Sequence, residues 1–64
     1  MITITIKTDN AAFEGDTLPE EVARILRRLA DTFIREYDPL ESFSVALRDI
    51  NGNKVGECDI STME

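Results

Sequence analysis

The chain has 64 residues, with 13 acids against seven lysines and arginines, no histidine, and a net charge of −6. That length makes one domain, residues 1–64, near the lower limit for independent folding. A lone cysteine, Cys58, excludes a disulfide framework, and no apolar run approaches the roughly 18 residues a membrane span needs.

The N-terminal "MITITIK" alternates strictly, with Ile2, Ile4 and Ile6 on one side and Thr3, Thr5 and Lys7 on the other. Period two with β-branched residues predicts a strand whose isoleucines face a core. Nothing here has the basic start and long apolar stretch of a secretion signal, and a single thiol suits a reducing compartment. The expectation is a soluble, cytoplasmic protein. "TDNAAFEGDT" has no clean period and reads as a loop, with Phe13 tucked against the core edge or exposed as an anchor.

"TLPEEVARILRRLADTFIREYD" predicts a helix. Thr17 and Glu20 have capping-box spacing, Pro19 suits the first turn, and Asp16, Glu20 and Glu21 suit the positive end of the dipole. Leu18, Val22, Ile25, Leu26, Leu29, Phe33 and Tyr37 share one face. Arg24, Arg28, Asp31 and Arg35 point the other way, with Arg27 on the flank, and Pro39 stops the helix. The arginine stripe reads as a solvated face carrying local ion pairs, each worth about 0.2–0.5 kcal/mol. A nucleic-acid-binding helix is the sharper alternative, and the acidic remainder of the molecule opposes it.

"SFSVALRDINGNKVGECDIS" predicts a hairpin around Asn51-Gly52. A two-residue loop puts Phe43, Val45, Leu47, Cys58 and Ile60 on one face and leaves Val55 outside. A three-residue loop, Ile50 to Gly52, turns Val55 in and Cys58 and Ile60 out. A bulge at Gly56 reconciles the two, and we favour it. Cys58 is then a small core residue, since no histidine or cationic pocket is at hand to activate it.

The expected fold is α+β, in the order β-α-β-β: a three-stranded, mainly antiparallel sheet with one helix packed on one face. Strand order 2-3-1 is preferred over a parallel pairing of the first two strands. The expected core is Ile2, Ile4, Ile6, Val22, Ile25, Leu26, Leu29, Phe33, Phe43, Val45, Leu47 and Ile60. Thr3, Thr5, Lys7, Ser44, Ala46, Arg48, Glu57 and Asp59 would form a wet face. That face has few large apolar groups, so the chain is a monomer or a weak dimer by edge-strand pairing.

Residues 18–37 hold four acids and four arginines, so the whole net charge lies off the helix. Topology gathers Asp9, Glu14, Asp16, Glu20, Glu21 and Asp49 near one pole, and Asp38, Glu41, Asp59 and Glu64 near the other. Such fields attract basic surfaces, though excess negative charge also serves plain solubility. No glycine-rich phosphate loop is present, and "DINGNKVGE" misplaces the glycine and terminal glutamate of a calcium loop. The expectation is no enzyme, no cofactor and no metal, because so small a fold offers no deep cleft to tune a carboxylate.

The blocks "DNAAFEGD…EVARILRRLAD" and "LRDINGNKVGE" together resemble small proteins encoded by phages, prophages and mobile elements of proteobacteria, over roughly residues 1–60. Within that group the chain is similar to anti-CRISPR proteins directed against type I-C systems. The resemblance implies a stoichiometric inhibitor whose acidic surface stands in for DNA phosphates. Its partner would be a basic nucleic-acid-binding protein, a CRISPR effector subunit, with no nucleic acid bound directly and no membrane. The charge layout nominates Glu14, Asp16, Asp49, Glu57 and Asp59, then Asp38 and Glu41, as partner-binding residues. A small phage accessory or assembly module, binding a protein through its sheet face or edge, is the alternative.

Overall fold

In a computed structural model, residues 1–38 and 43–61 are described. Strand β1 (Ile2–Ile6) leads through two short 3-10 turns, Ala11–Phe13 and Gly15–Thr17, into helix α1 (Leu18–Glu36). Strands β2 (Phe43–Arg48) and β3 (Lys54–Ile60) follow. The sheet is antiparallel in the order β1-β3-β2, with the helix on one face: an α+β fold. Pro39, Glu41 and Glu64 lie outside the described residues; α1 ends at Glu36, and the Tyr37 amide closes the last turn on the Phe33 carbonyl at 3.1 Å.

Register confirms the alternation in β1. Ile2, Ile4 and Ile6 pair with Ile60, Cys58 and Gly56, while Phe43, Val45 and Leu47 pair with the same three from the other side. Directly opposed residues share a face. All these residues therefore share the face of the sheet on which the helix packs, and Thr3, Thr5, Ser44, Ala46, Glu57 and Asp59 line the open face.

The hairpin takes the bulged solution. Asp49 and Asn53 close a three-residue loop, with the Asp49 amide donating to the Asn53 carbonyl at 2.9 Å and the Gly52 amide returning to the Asp49 carbonyl at 3.0 Å. Gly52 alone in this loop needs positive φ, at 86°. Between Leu47 and Arg48 the register jumps by one, so Val55 and Gly56 face a single partner residue. The extra residue returns Cys58 to the inside while Val55 stays buried. Glycine is required at 56 because β1 passes so close there. A Cβ would sit 1.8 Å from the Thr5 carbonyl oxygen.

Two expectations fail at the start of α1. Thr17 has helical angles and makes no capping bond. Its hydroxyl instead points back to the carbonyls of Ala12 and Glu14, and the turn Gly15–Thr17 runs straight into the helix, with the Leu18 amide donating to the Gly15 carbonyl. The preceding stretch is also not a plain loop. The Asn10 side chain accepts from the Ala12 amide at 2.9 Å and starts the turn that drives Phe13 into the core, where it is 2% exposed.

The core comprises Phe13, Ile25, Leu29, Leu47, Val55 and Cys58, flanked by Ile6, Ala12, Val22 and Val45. At the other end Phe33 stacks on Tyr37 at 4.9 Å, and Phe43 meets both rings edge-on at 5.5 and 5.8 Å. Three expected core residues are not enclosed: Ile2 is 56% exposed, Ile4 45% and Leu26 41%. One helix is about 10 Å across, while a three-stranded sheet with its side chains is wider. Helix α1 lies toward β2, and the outer flank of β1 stays uncovered.

Gly56→Ala should destabilise at or above the top of the about 1–3 kcal/mol usual for overpacking, lowering the Tm by about 4–8 °C per kcal/mol in a domain this size. Gly52→Ala, whose Cβ meets nothing within 4 Å, should cost less. Thermal melts of the two variants check this; an unchanged Tm in Gly56→Ala would refute the bulge.

Candidate functional site

Of the seven nominated carboxylates, the structure removes one from the surface. Asp49 is 4% exposed, and both its oxygens are occupied. Oδ1 accepts from the amides of Asn51 and Asn53, each at 2.9 Å. Oδ2 accepts from the side-chain amides of Asn10 at 2.9 Å and Asn53 at 3.2 Å. Asp49 is therefore corrected from partner contact to structural hub: short polar side chains in tight turns bond neighbouring amides, and here the carboxylate also reaches the Asn10 turn.

Beside it, Glu21 is 6% exposed and was expected only as a charge at the helix start. Its Oε1 accepts from Arg24 Nε at 2.8 Å and its Oε2 from the Ile50 amide at 2.7 Å. Arg24 also donates from Nη2 to Glu21 Oε2 at 3.1 Å and to the Arg48 carbonyl at 3.0 Å. Arg24 thus clamps α1 to the hairpin rather than facing water. Periodicity could not reveal this, because the partners lie across the fold and not along the helix.

Burial by itself would raise the Asp49 carboxyl. The amides of Asn53 and Asn51 and the side chains of Asn53 and Asn10 outweigh it and hold the group below its ordinary value. The Arg24 hydrogen bond lowers Glu21 against its burial, with help from the Ile50 amide and the Arg24 charge and opposition from Asp49. Burial, then the neighbouring Asp59 charge, push the Cys58 thiol up, which disfavours the nucleophilic thiolate.

The other candidates divide between two places. Glu57 and Asp59 lie on the open face of the central strand, in register with Thr5 and Thr3. Glu57 pairs with Lys54 at 3.1 Å, and the bulge is what puts those two on one side. Asp59 accepts from the Ser44 hydroxyl at 2.8 Å. Glu14 and Asp16 are exposed on either side of Gly15, before α1, and Asp38 is exposed beyond its other end. The structure does not draw these residues into one cluster; a helix of 19 residues, about 28 Å, separates the two ends. Glu41 lies outside the described residues.

Among the described residues, Asp9, Glu14, Asp16 and Glu20 are exposed and none has a cation within ion-pair distance; the ion pairs seen are Glu21–Arg24 and Glu57–Lys54. The helix arginines do not reach these acids. Arg24 is held by Glu21, and Arg35 Nε donates to the Asp31 carbonyl at 3.2 Å.

An open groove of about 570 Å³ runs between α1 and the outer edge of β2, with Arg24, Arg28, Thr32, Ser44 and Arg48 along it. No group of three metal-ligating side chains occurs among the described residues, and none of their helices is long and apolar enough to cross a membrane. No protein-family model matches the chain, and neither a curated protein nor a solved structure matches it.

Stability should follow the two internal carboxylates. Both have lowered values in the fold, so their contribution is fully present above the unfolded values of about 3.9 (Asp) and 4.3 (Glu). It disappears as pH falls through the folded values. Melts should therefore hold steady near neutrality and drop in acid. Asp49→Asn, which sets an amide against the Asn10 and Asn53 amides, should lower the neutral Tm and flatten the acid drop. An acid profile identical to that of the parent would contradict this role.

Proposed function

We propose that this protein is a stoichiometric, non-enzymatic inhibitor that offers surface carboxylates to a basic nucleic-acid-binding groove, that of a type I CRISPR surveillance complex. The supporting observation is the bare group Asp9, Glu14, Asp16 and Glu20 at the end of the fold where the helix begins. Lacking local counter-charges, these groups keep their field, which speeds encounter with a lysine- and arginine-rich surface and weakens with salt. Asp59 and Glu57 on the open sheet face, with Asp38, extend the acidic surface. The resemblance to type I-C anti-CRISPR proteins points to the same class of partner. Occupying the groove with carboxylates would exclude target DNA without any reaction.

Transformation of cells carrying an active type I-C system with a targeted plasmid tests this. Co-expressed protein should restore transformation, and the triple variant Glu14→Lys, Asp16→Lys, Asp59→Lys should lose the effect by at least an order of magnitude while keeping its circular dichroism. With purified surveillance complex, inhibition of DNA binding should weaken as salt rises. Intact interference in the presence of the parent protein, or equal protection by the folded triple variant, would overturn the proposal.

A further inference from the structure

The uncovered flank of β1 has a second property that its exposure alone does not give. The Met1 amino group donates to the Ser61 carbonyl at 3.1 Å, and the Ser61 amide returns to the Met1 carbonyl at 3.0 Å. At the other end the Lys7 amide donates to the Val55 carbonyl at 2.7 Å. These fix the phase of the antiparallel ladder. Odd residues of β1 exchange their bonds with β3, and the N–H and C=O groups of Ile2, Ile4 and Ile6 point away from the sheet. The same three residues carry the side chains on the helix side, where Ile2 and Ile4 are half uncovered.

The five residues of this strand, Ile-Thr-Ile-Thr-Ile, read the same in both directions about Ile4. Laid antiparallel against itself with Ile4 opposite Ile4, the strand sets Ile2 against Ile6 and Thr3 against Thr5. Each isoleucine pair then has its outward backbone groups in the bonding phase, so each exchanges two N–H···O bonds. Isoleucine meets isoleucine under the helices and threonine meets threonine on the open face. A two-fold interface requires such self-complementarity.

Charge singles out the same edge. In a chain of net charge −6, no side chain from Met1 to Ile6 is ionisable, so no carboxylate of the strand meets its copy; the flanking cations, the Met1 ammonium and Lys7, come opposite one another at the two ends. The outer edge of β2 is the poorer choice. Its Arg48 carbonyl is already taken by Arg24, and the Arg28 and Arg48 charges line it. Exposed edges are normally protected by charge, proline or a cover; β1 has no charged side chain or proline in its span, and among the described residues none covers its outer edge.

We infer that β1 is a homodimer interface: two copies join their sheets through antiparallel β1 strands centred on Ile4, giving one continuous six-stranded sheet with a helix from each copy on the same side. The dimer doubles the acidic surface and covers Ile2 and Ile4. It does not depend on the proposed inhibitory role.

Sedimentation equilibrium of the full chain from micromolar to millimolar concentration, combined with amide exchange, tests the inference. The mass should rise from 7.2 kDa toward twice that value. The Ile2, Ile4 and Ile6 amides should gain protection of at least about tenfold with concentration, while Thr3 and Thr5, bonded to β3, stay protected throughout. Ile4→Pro removes an outward donor without touching the ladder to β3 and should leave a folded monomer. Ile4→Lys, judged folded by circular dichroism, should do the same. A single 7.2 kDa species at every concentration would overturn the inference, as would a dimer that survives both substitutions or shows no added protection at the isoleucine amides.

Discussion

The carboxylate of Asp49 holds three separate pieces of chain in one place. It fixes the hairpin turn through Asn51 and Asn53 and ties it to the Asn10 turn that precedes Phe13. A short distance away Glu21 joins the helix to Ile50 of the same hairpin. A core of so few large side chains cannot by itself set the position of every element. The two carboxylates supply the missing specification. Buried polar groups are costly unless satisfied, so the positions that satisfy all of these donors at once are few. With the turn fixed, the three-residue loop and the bulge follow, and with them the register of β3 against both neighbours.

That register decides what the surface is. The bulge brings Val55 and Cys58 inside together and leaves Glu57 and Asp59 on the open face. A single helix over three strands then has to leave part of the sheet bare, and lying toward β2 it leaves β1. Near the helix start Arg24 turns inward to Glu21, and Asp9, Glu14, Asp16 and Glu20 have no cation within ion-pair distance among the described residues. The molecule therefore has one edge strand without ionisable side chains, one groove with arginines, and acidic ends. These are three chemically different surfaces, separated by the geometry of one hairpin.

Much of this was legible from residue order. The alternation of β1, the helix period, the Asn-Gly turn and the conflict between Val55 and Cys58 led to the observed elements and bulge, because each is a local pattern with a fixed geometric consequence, while the strand order followed from the general preference for antiparallel pairing. The unread part lies in contacts between distant segments. Nothing in the spacing of Asp49 marks it as buried, since its partner Asn10 is 39 residues away. Thr17 matched a capping box, but the turn Gly15–Thr17 gives it helical angles and its hydroxyl goes back to the Ala12 and Glu14 carbonyls. Ile2 and Ile4 had the right phase for the core. Their exposure depends on the width of a helix against that of a sheet, which periodicity does not measure.

The account rests on a division among the acids: Glu21 and Asp49 act inside the fold, and the surplus acts outside it. Site-resolved carboxyl titration of the unmodified protein by NMR tests that division most directly. Glu21 and Asp49 should titrate below their ordinary values, with the Asn51 and Ile50 amide resonances moving in step with them. Asp49 titrating as a free aspartate, with its turn amides unmoved, would contradict the account.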